Sequence, residues 1–139
     1  MIRLATLASA ALAFSVSAHA GDSCGGGDGE YNFTMPSNNV ECTFTPDGGT
    51  ATYSTADGLA ELSCDRAEPS YVRVVMGSSG KPKKYTNVGD ASCCSANYIL
   101  AYGEVWSQGP FTCLSAPTGL TCTRGTHGFS ISKKNIKLH

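Results

Sequence analysis

The chain has little that would build a helix and little that would catalyse. Past residue 20, no stretch of ten or more residues carries apolar side chains at the ~3.6-residue helical spacing, which argues against a helical domain. No second apolar run in that region is long enough to cross a bilayer. The spacings that serve metal and thiol chemistry are missing: there is no H-E-x-x-H, no C-x-x-C and no C-x-x-C-H. The G-x-S-x-G elbow of serine hydrolases is missing too. "VMGSSGKPK" (75–83) fails as a phosphate loop, because Val75 stands where its first glycine belongs and Pro82 where Ser or Thr would hold magnesium. Basic residues are not interleaved with aromatics as in readers of single-stranded nucleic acid, so no nucleic-acid partner is expected. With no complete acid–base–nucleophile set, the expectation is a protein that is not an enzyme and needs no cofactor or metal.

The N-terminus carries an export pattern. Arg3 precedes a small-residue-rich apolar run, Leu4 to Val16, and Ala18-His19-Ala20 supplies an A-x-A motif. This predicts a signal peptide over 1–20, cleaved between Ala20 and Gly21. "AHAGDSC" lacks a lipobox, so no membrane anchor is expected and the mature protein should be periplasmic or secreted. A Gly/Asp-rich leader (21–30) should precede a single domain over 31–139, long enough for one core.

All seven cysteines (24, 42, 64, 93, 94, 113, 122) follow the export pattern, which reads as a disulfide framework in an oxidising compartment. Short alternating or β-branched runs are separated by turn signals: "NVECTF", "TATYS", "LAELSC", "SYVRVVM", "YILAYG", "EVWSQG", "PFTCLS", "LTCTR" and "FSIS". Turns every ~8–12 residues predict an all-β fold, a small disulfide-stapled sandwich or partly open barrel of short antiparallel strands.

"FTCLSAPTGLTCTRGTHGFSIS" (111–132) raises a choice between thiol–imidazole chemistry and a stapled hairpin. Pairing Ser115 with Leu120 across Ala116–Gly119 sets Cys113 directly opposite Cys122. Their Cα separation would then be about 4.5 Å, close enough to bridge. Cys42 and Cys64 each close an alternating strand and are expected to pair across one sheet. Cys93 and Cys94 are adjacent, and in a strand neighbours face opposite ways. A bond between them would strain an eight-membered ring, so each is expected to look elsewhere: one can bridge inward while the other stays free or meets Cys24, and Cys24 with Cys93 or Cys94 is the candidate third bridge. The odd count leaves a spare thiol in an otherwise monomeric protein, one that could link a dimer.

His127 lies between Gly125 and Gly128, and beyond the export pattern its only fellow is His139. The favoured reading makes it a turn residue whose imidazole caps backbone groups while Gly128 takes a positive φ. Charge is divided along the chain. Residues 21–68 hold nine acidic side chains against Arg66, a net of −8, and residues from 69 hold eight basic against Asp90 and Glu104, a net of +6. Either the two halves lie side by side and cancel, or Lys81, Lys83, Lys84, Arg124, Lys133, Lys134 and Lys137, beside His127, offer a surface to an anionic ligand.

"FTMPSNNVEC" (33–42), "LAYG" (100–103) and the 111–132 stretch resemble a family of small secreted bacterial proteins classified only as a domain of unknown function. The shared pattern is PSxNxxC, then YG, then TCxSxxxGLTC and HGFxxS. Asn38 stands where that family commonly has glycine, Arg124 where it commonly has asparagine, and 45–97 departs from it. The resemblance implies secretion, one domain and a stapled β-fold, and supplies no activity. The expected role is non-catalytic binding of a protein or cell-envelope partner, inhibition of a secreted hydrolase being one form. The alternatives are a thiol-dependent enzyme using a free Cys93 or Cys94 with His127, and the anionic-ligand binder.

Overall fold

The computed structural model describes residues 31–139. The expected signal peptide, its cleavage point and the leader with Cys24 lie outside them. Ten strands follow in chain order: β1 Tyr31–Thr34, β2 Val40–Thr45, β3 Glu61–Arg66, β4 Val72–Gly77, β5 Lys83–Tyr85, β6 Val105–Gln108, β7 Phe111–Ala116, β8 Gly119–Arg124, β9 His127–Ile131 and β10 Ile136–Leu138. They form two five-stranded antiparallel sheets, β1-β2-β3-β4-β5 (sheet A) and β10-β9-β8-β7-β6 (sheet B). Neither closes into a barrel, so of the two expected forms the fold is the sandwich. Each sheet is a plain meander, built from hairpins between sequence neighbours.

Alternation sets the core. In β4, Val72, Val74 and Met76 are buried while Arg73 and Val75 face outward, and in β7 Phe111, Cys113 and Ser115 are buried while Thr112 and Leu114 are exposed. The inner faces meet through aromatic side chains, with Phe33 packing on Trp106 at 5.0 Å between centroids and Phe44 on Phe111 at 6.1 Å. Cys42 pairs with Cys64 at directly opposed positions of β2 and β3, and Cys113 with Cys122 at opposed positions of β7 and β8. Both expected bridges are therefore present, each with a Cα separation of 4.1 Å. The sulfurs of Cys42, Cys64 and Cys122 lie within 4.8 Å of one another, so the two bridges stack at the centre of the core. On the chain-entropy model each contributes about 3 kcal/mol.

The β7–β8 register is the expected one, but Ala116 also pairs with Gly119, which shortens the turn to Pro117-Thr118. Two runs depart from expectation. "TATYS" belongs to the irregular 46–60 connection, and "YILAYG" contributes only a single bridge, Ile99 to Thr34. β1, β5 and β10 carry too few alternating residues to stand out in the sequence. The turn before β2 is closed by Asn38 at φ 53°, the one non-glycine residue with positive φ among those described. Asparagine tolerates that conformation better than most residues, which suits a position where glycine is the usual choice.

The expectation for "RGTHGF" also shifts by a few residues. Gly125, at φ 58°, makes the two-residue β8–β9 turn with Thr126, and His127 opens β9 opposite Arg124. Gly128 is instead an extended, buried strand residue. A Cβ there would lie 2.6 Å from the Cys122 carbonyl oxygen and 2.9 Å from the His139 imidazole, so its hydrogen is required by crowding and not by φ.

Candidate functional site

One row of outward side chains crosses sheet A. Strand register aligns Thr34, Glu41, Asp65, Arg73 and Tyr85 from β1 to β5. The 86–104 crossover, which joins the two meanders, returns over this row and is fastened to each strand it passes. Arg73 Nη1 donates to Asp90 at 2.8 Å. The Tyr71 hydroxyl accepts the Ser92 and Cys93 N–H groups at 3.0 Å and donates to Asp65 at 2.6 Å. Glu41 Oε2 accepts Ser95 N–H at 2.5 Å, Ala96 N–H at 2.6 Å and the Thr34 hydroxyl at 3.1 Å. Thr34 then exchanges backbone bonds with Tyr98 and Leu100.

Asp65 is the hub of this strap. Its carboxylate takes two bonds from Arg73, Nε at 2.7 Å and Nη2 at 2.8 Å. The bond to Asp65 is the main cause that raises the Arg73 pKa above its ordinary value, and burial followed by the Asp65 bond raises that of Tyr71.

Cys93 and Cys94, in the middle of the strap, are bonded to each other across a cis peptide. This corrects the expectation that each would look elsewhere. The opposite-faces argument applies to strands, and this segment is irregular, so neighbouring side chains are free to converge. With three bridges formed, the seventh cysteine is Cys24, outside the described residues.

Between the strap and the 46–60 connection lies a cleft of about 470 Å³ on the outer face of sheet A. Thr43, Thr45, Ser63 and Val75 contribute to its floor, and Tyr53 and Asn87 to its sides. Tyr53 is positioned by its N–H on the Thr50 hydroxyl at 3.0 Å and donates its own hydroxyl to Glu61 Oε1 at 2.8 Å. Burial first, then Glu61, pushes the Tyr53 pKa up to about 12. Tyr53 is half exposed, at 49%, and so is Tyr85, at 46%. Thr45 is only 5% exposed yet lines the cleft, and no hydrogen bond holds its hydroxyl among the described residues. The same is true of the partly buried Thr43 and Ser63 hydroxyls.

The basic residues singled out from the sequence do not share a site. Lys81, Lys83, Lys84, Lys133, Lys134 and Lys137 are all exposed. Lys81 adjoins Gly80, which accepts from Arg124 at 2.7 Å, whereas Lys133 adjoins Ser132, which accepts from Arg66 at 3.1 Å. Those anchors lie at opposite ends of the β3–β4 ladder, about 17 Å apart. Lys133 lines a second hollow of about 410 Å³ there, together with Asn38, Tyr102 and Pro117. Arg124 is occupied in clamping the 77–80 turn, with its second nitrogen on the Gly77 carbonyl.

His127 is half-buried, and no hydrogen bond reaches its imidazole among the described residues, so it is not the cap expected of it. Strand alternation sends His127 and His139, which pairs with Gly128, to opposite faces. Cys93 sits outside sheet A beside Tyr71 and Asp65, while His127 belongs to sheet B next to the Arg124 clamp at the other end of β4. A thiol–imidazole pair is therefore not assembled. The strap row and the cleft were invisible in the sequence, because they depend on the register of five strands at once. A scan against protein-family models finds no match, and searches of curated proteins and of solved structures find no similar protein.

Proposed function

We propose that this chain is an exported, non-catalytic binding protein of the periplasm or extracellular space, and that it meets its partner, a cell-envelope component or a protein, with the outer face of sheet A. The observation that carries this reading is the cleft of about 470 Å³ on that face, lined by Thr43, Thr45 and Ser63, whose hydroxyls have no hydrogen-bond partner among the described residues. Each can both donate and accept, so each can exchange water for a polar atom of a ligand. Export is supported by the pattern at 1–20, by the resemblance to small secreted proteins and by the oxidising compartment that three disulfides require. Among the described residues no helix is long and apolar enough to cross a membrane.

The test is to titrate the exported protein with fractionated envelope extract and follow its amide resonances. Binding should perturb Thr43, Ser63, Val75 and Tyr85 first, and Ser63→Arg, which fills the cleft, should abolish it while the melt stays cooperative. Perturbations confined to sheet B, or undiminished binding by a folded Ser63→Arg protein, overturn the assignment.

A further inference from the structure

We infer that the cleft is a saccharide site, taking a neutral, hydroxyl-rich sugar chain; the inference rests on the reading of the cleft as the binding surface. Three hydroxyls, those of Thr43, Thr45 and Ser63, face it without partners among the described residues. A hydroxyl both donates and accepts, so it complements another alcohol, which does the same, better than it complements an ammonium group that only donates. Glu61 adds an acceptor already oriented by Tyr53, with Oε1 engaged and Oε2 left for a ligand. Tyr53 and Tyr85 line the cleft as half-exposed residues, and the apolar face of a tyrosine ring suits the C–H face of a pyranose while its hydroxyl suits the rim.

The charge distribution names the competing ligand. Four carboxylates line the cleft against one guanidinium, that of Arg73. Asp65 is engaged at both oxygens, by Arg73 and Tyr71, whereas Asp90 is paired with Arg73 through Oδ1, and Glu41 holds two strap amides and the Thr34 hydroxyl through Oε2. The oxygens left over on Glu41, Glu61 and Asp90 accept from sugar hydroxyls as well as from ammonium groups, so a basic peptide is the class the experiment must exclude. The volume, about 470 Å³, falls within the ~300–1,000 Å³ of ordinary small-ligand sites.

The experiment titrates the exported protein with a panel of neutral oligosaccharides at millimolar concentration: oligomers of glucose, mannose, galactose and N-acetylglucosamine. A lysine-rich peptide forms the opposing arm, and each titration is run at low and high salt. At least one oligosaccharide should shift the Thr43, Ser63 and Tyr85 amides with an affinity indifferent to salt. Tyr85→Ala should weaken it about tenfold, and Ser63→Val should weaken it without lowering the melting temperature. If the peptide shifts the cleft residues and no sugar does, the ligand class is wrong while the cleft stands as the binding surface. If sugars or envelope extract shift only residues outside the cleft, both readings fall. If the extract shifts the cleft and neither probe class does, the saccharide inference falls alone.

Discussion

Asp65→Asn tests the strap at its hub. The substitution keeps the shape of the side chain, removes its charge and turns an N–H group toward donors. Three short bonds are affected, from Tyr71 at 2.6 Å and from Arg73 at 2.7 and 2.8 Å. Removing one partner of a buried ion pair costs about 3–5 kcal/mol because the other charge stays behind. Here the side chains of Asp65 and Arg73 are 11% and 22% exposed, and Arg73 keeps Asp90 as a second partner, so the low end applies. The expected loss is about 3 kcal/mol, which for a domain of about 100 residues lowers Tm by roughly 12–24 °C. Urea denaturation gives the energy, and hydrogen exchange at the Ser92 and Cys93 amides reports the strap, since both bond to the Tyr71 hydroxyl that Asp65 orients. Replacing Arg73 with Met in the same chain should recover part of the loss, because the one charge then left unpaired, Asp90, is 81% exposed to water. A cost below about 1 kcal/mol, the worth of an exposed pair, or unchanged exchange at those two amides, would refute the strap as a fastened element.

Three further outcomes are expected. Gly128→Val should cost more than His127→Ala, about 1–3 kcal/mol against less than ~1 kcal/mol, because the added carbons meet the Cys122 carbonyl while the imidazole has no bond to lose; thermal melts of the two variants rank them. Ser115→Ala should raise stability by up to ~1 kcal/mol, since its fully buried hydroxyl has no partner and desolvation is its main contribution; chemical denaturation decides, and a loss would mean the hydroxyl is satisfied after all. Tyr53 has its folded pKa raised from 10.0 to about 12. Its contribution is present below pH 10 and declines as pH rises toward 12, because the unfolded chain ionises first. Tyr53→Phe should flatten the stability–pH slope in that window, and tyrosinate absorbance follows the titration directly.

What the sequence yields here depends on how many strands must be aligned at once. Cys113 and Cys122 are matched by one hairpin with its own turn signal, and Cys42 and Cys64 by a single strand pair, so both bridges can be read from local alternation. His127 and Gly128 were misplaced by the width of a turn, because Gly125 and Gly128 both look like turn glycines until Gly128 is seen to be crowded by Cys122. The five-residue row through Glu41, Asp65 and Arg73 requires four simultaneous registers, and nothing in "CDRAEPSYVRV" reveals that Asp65 and Arg73 stand opposite each other. Cys93 and Cys94 were judged by strand rules in a segment whose course is dictated by Tyr71 and Glu41 from elsewhere in the chain.

The described disulfides join residues separated by 22, 1 and 9 positions, and none crosses from one sheet to the other. Each meander is thus covalently self-contained among the described residues. Among the described residues the halves are joined by packed side chains, by the strap and by two arginine clamps, Arg66 on the Ser132 carbonyl and Arg124 on the Gly77 and Gly80 carbonyls. A protease nick near residues 86–88, before the first fastening at Asp90, would yield two separately stapled fragments able to reassociate through Phe33, Phe44, Trp106 and Phe111. A split reporter built at that point would come with its two pieces already cross-linked.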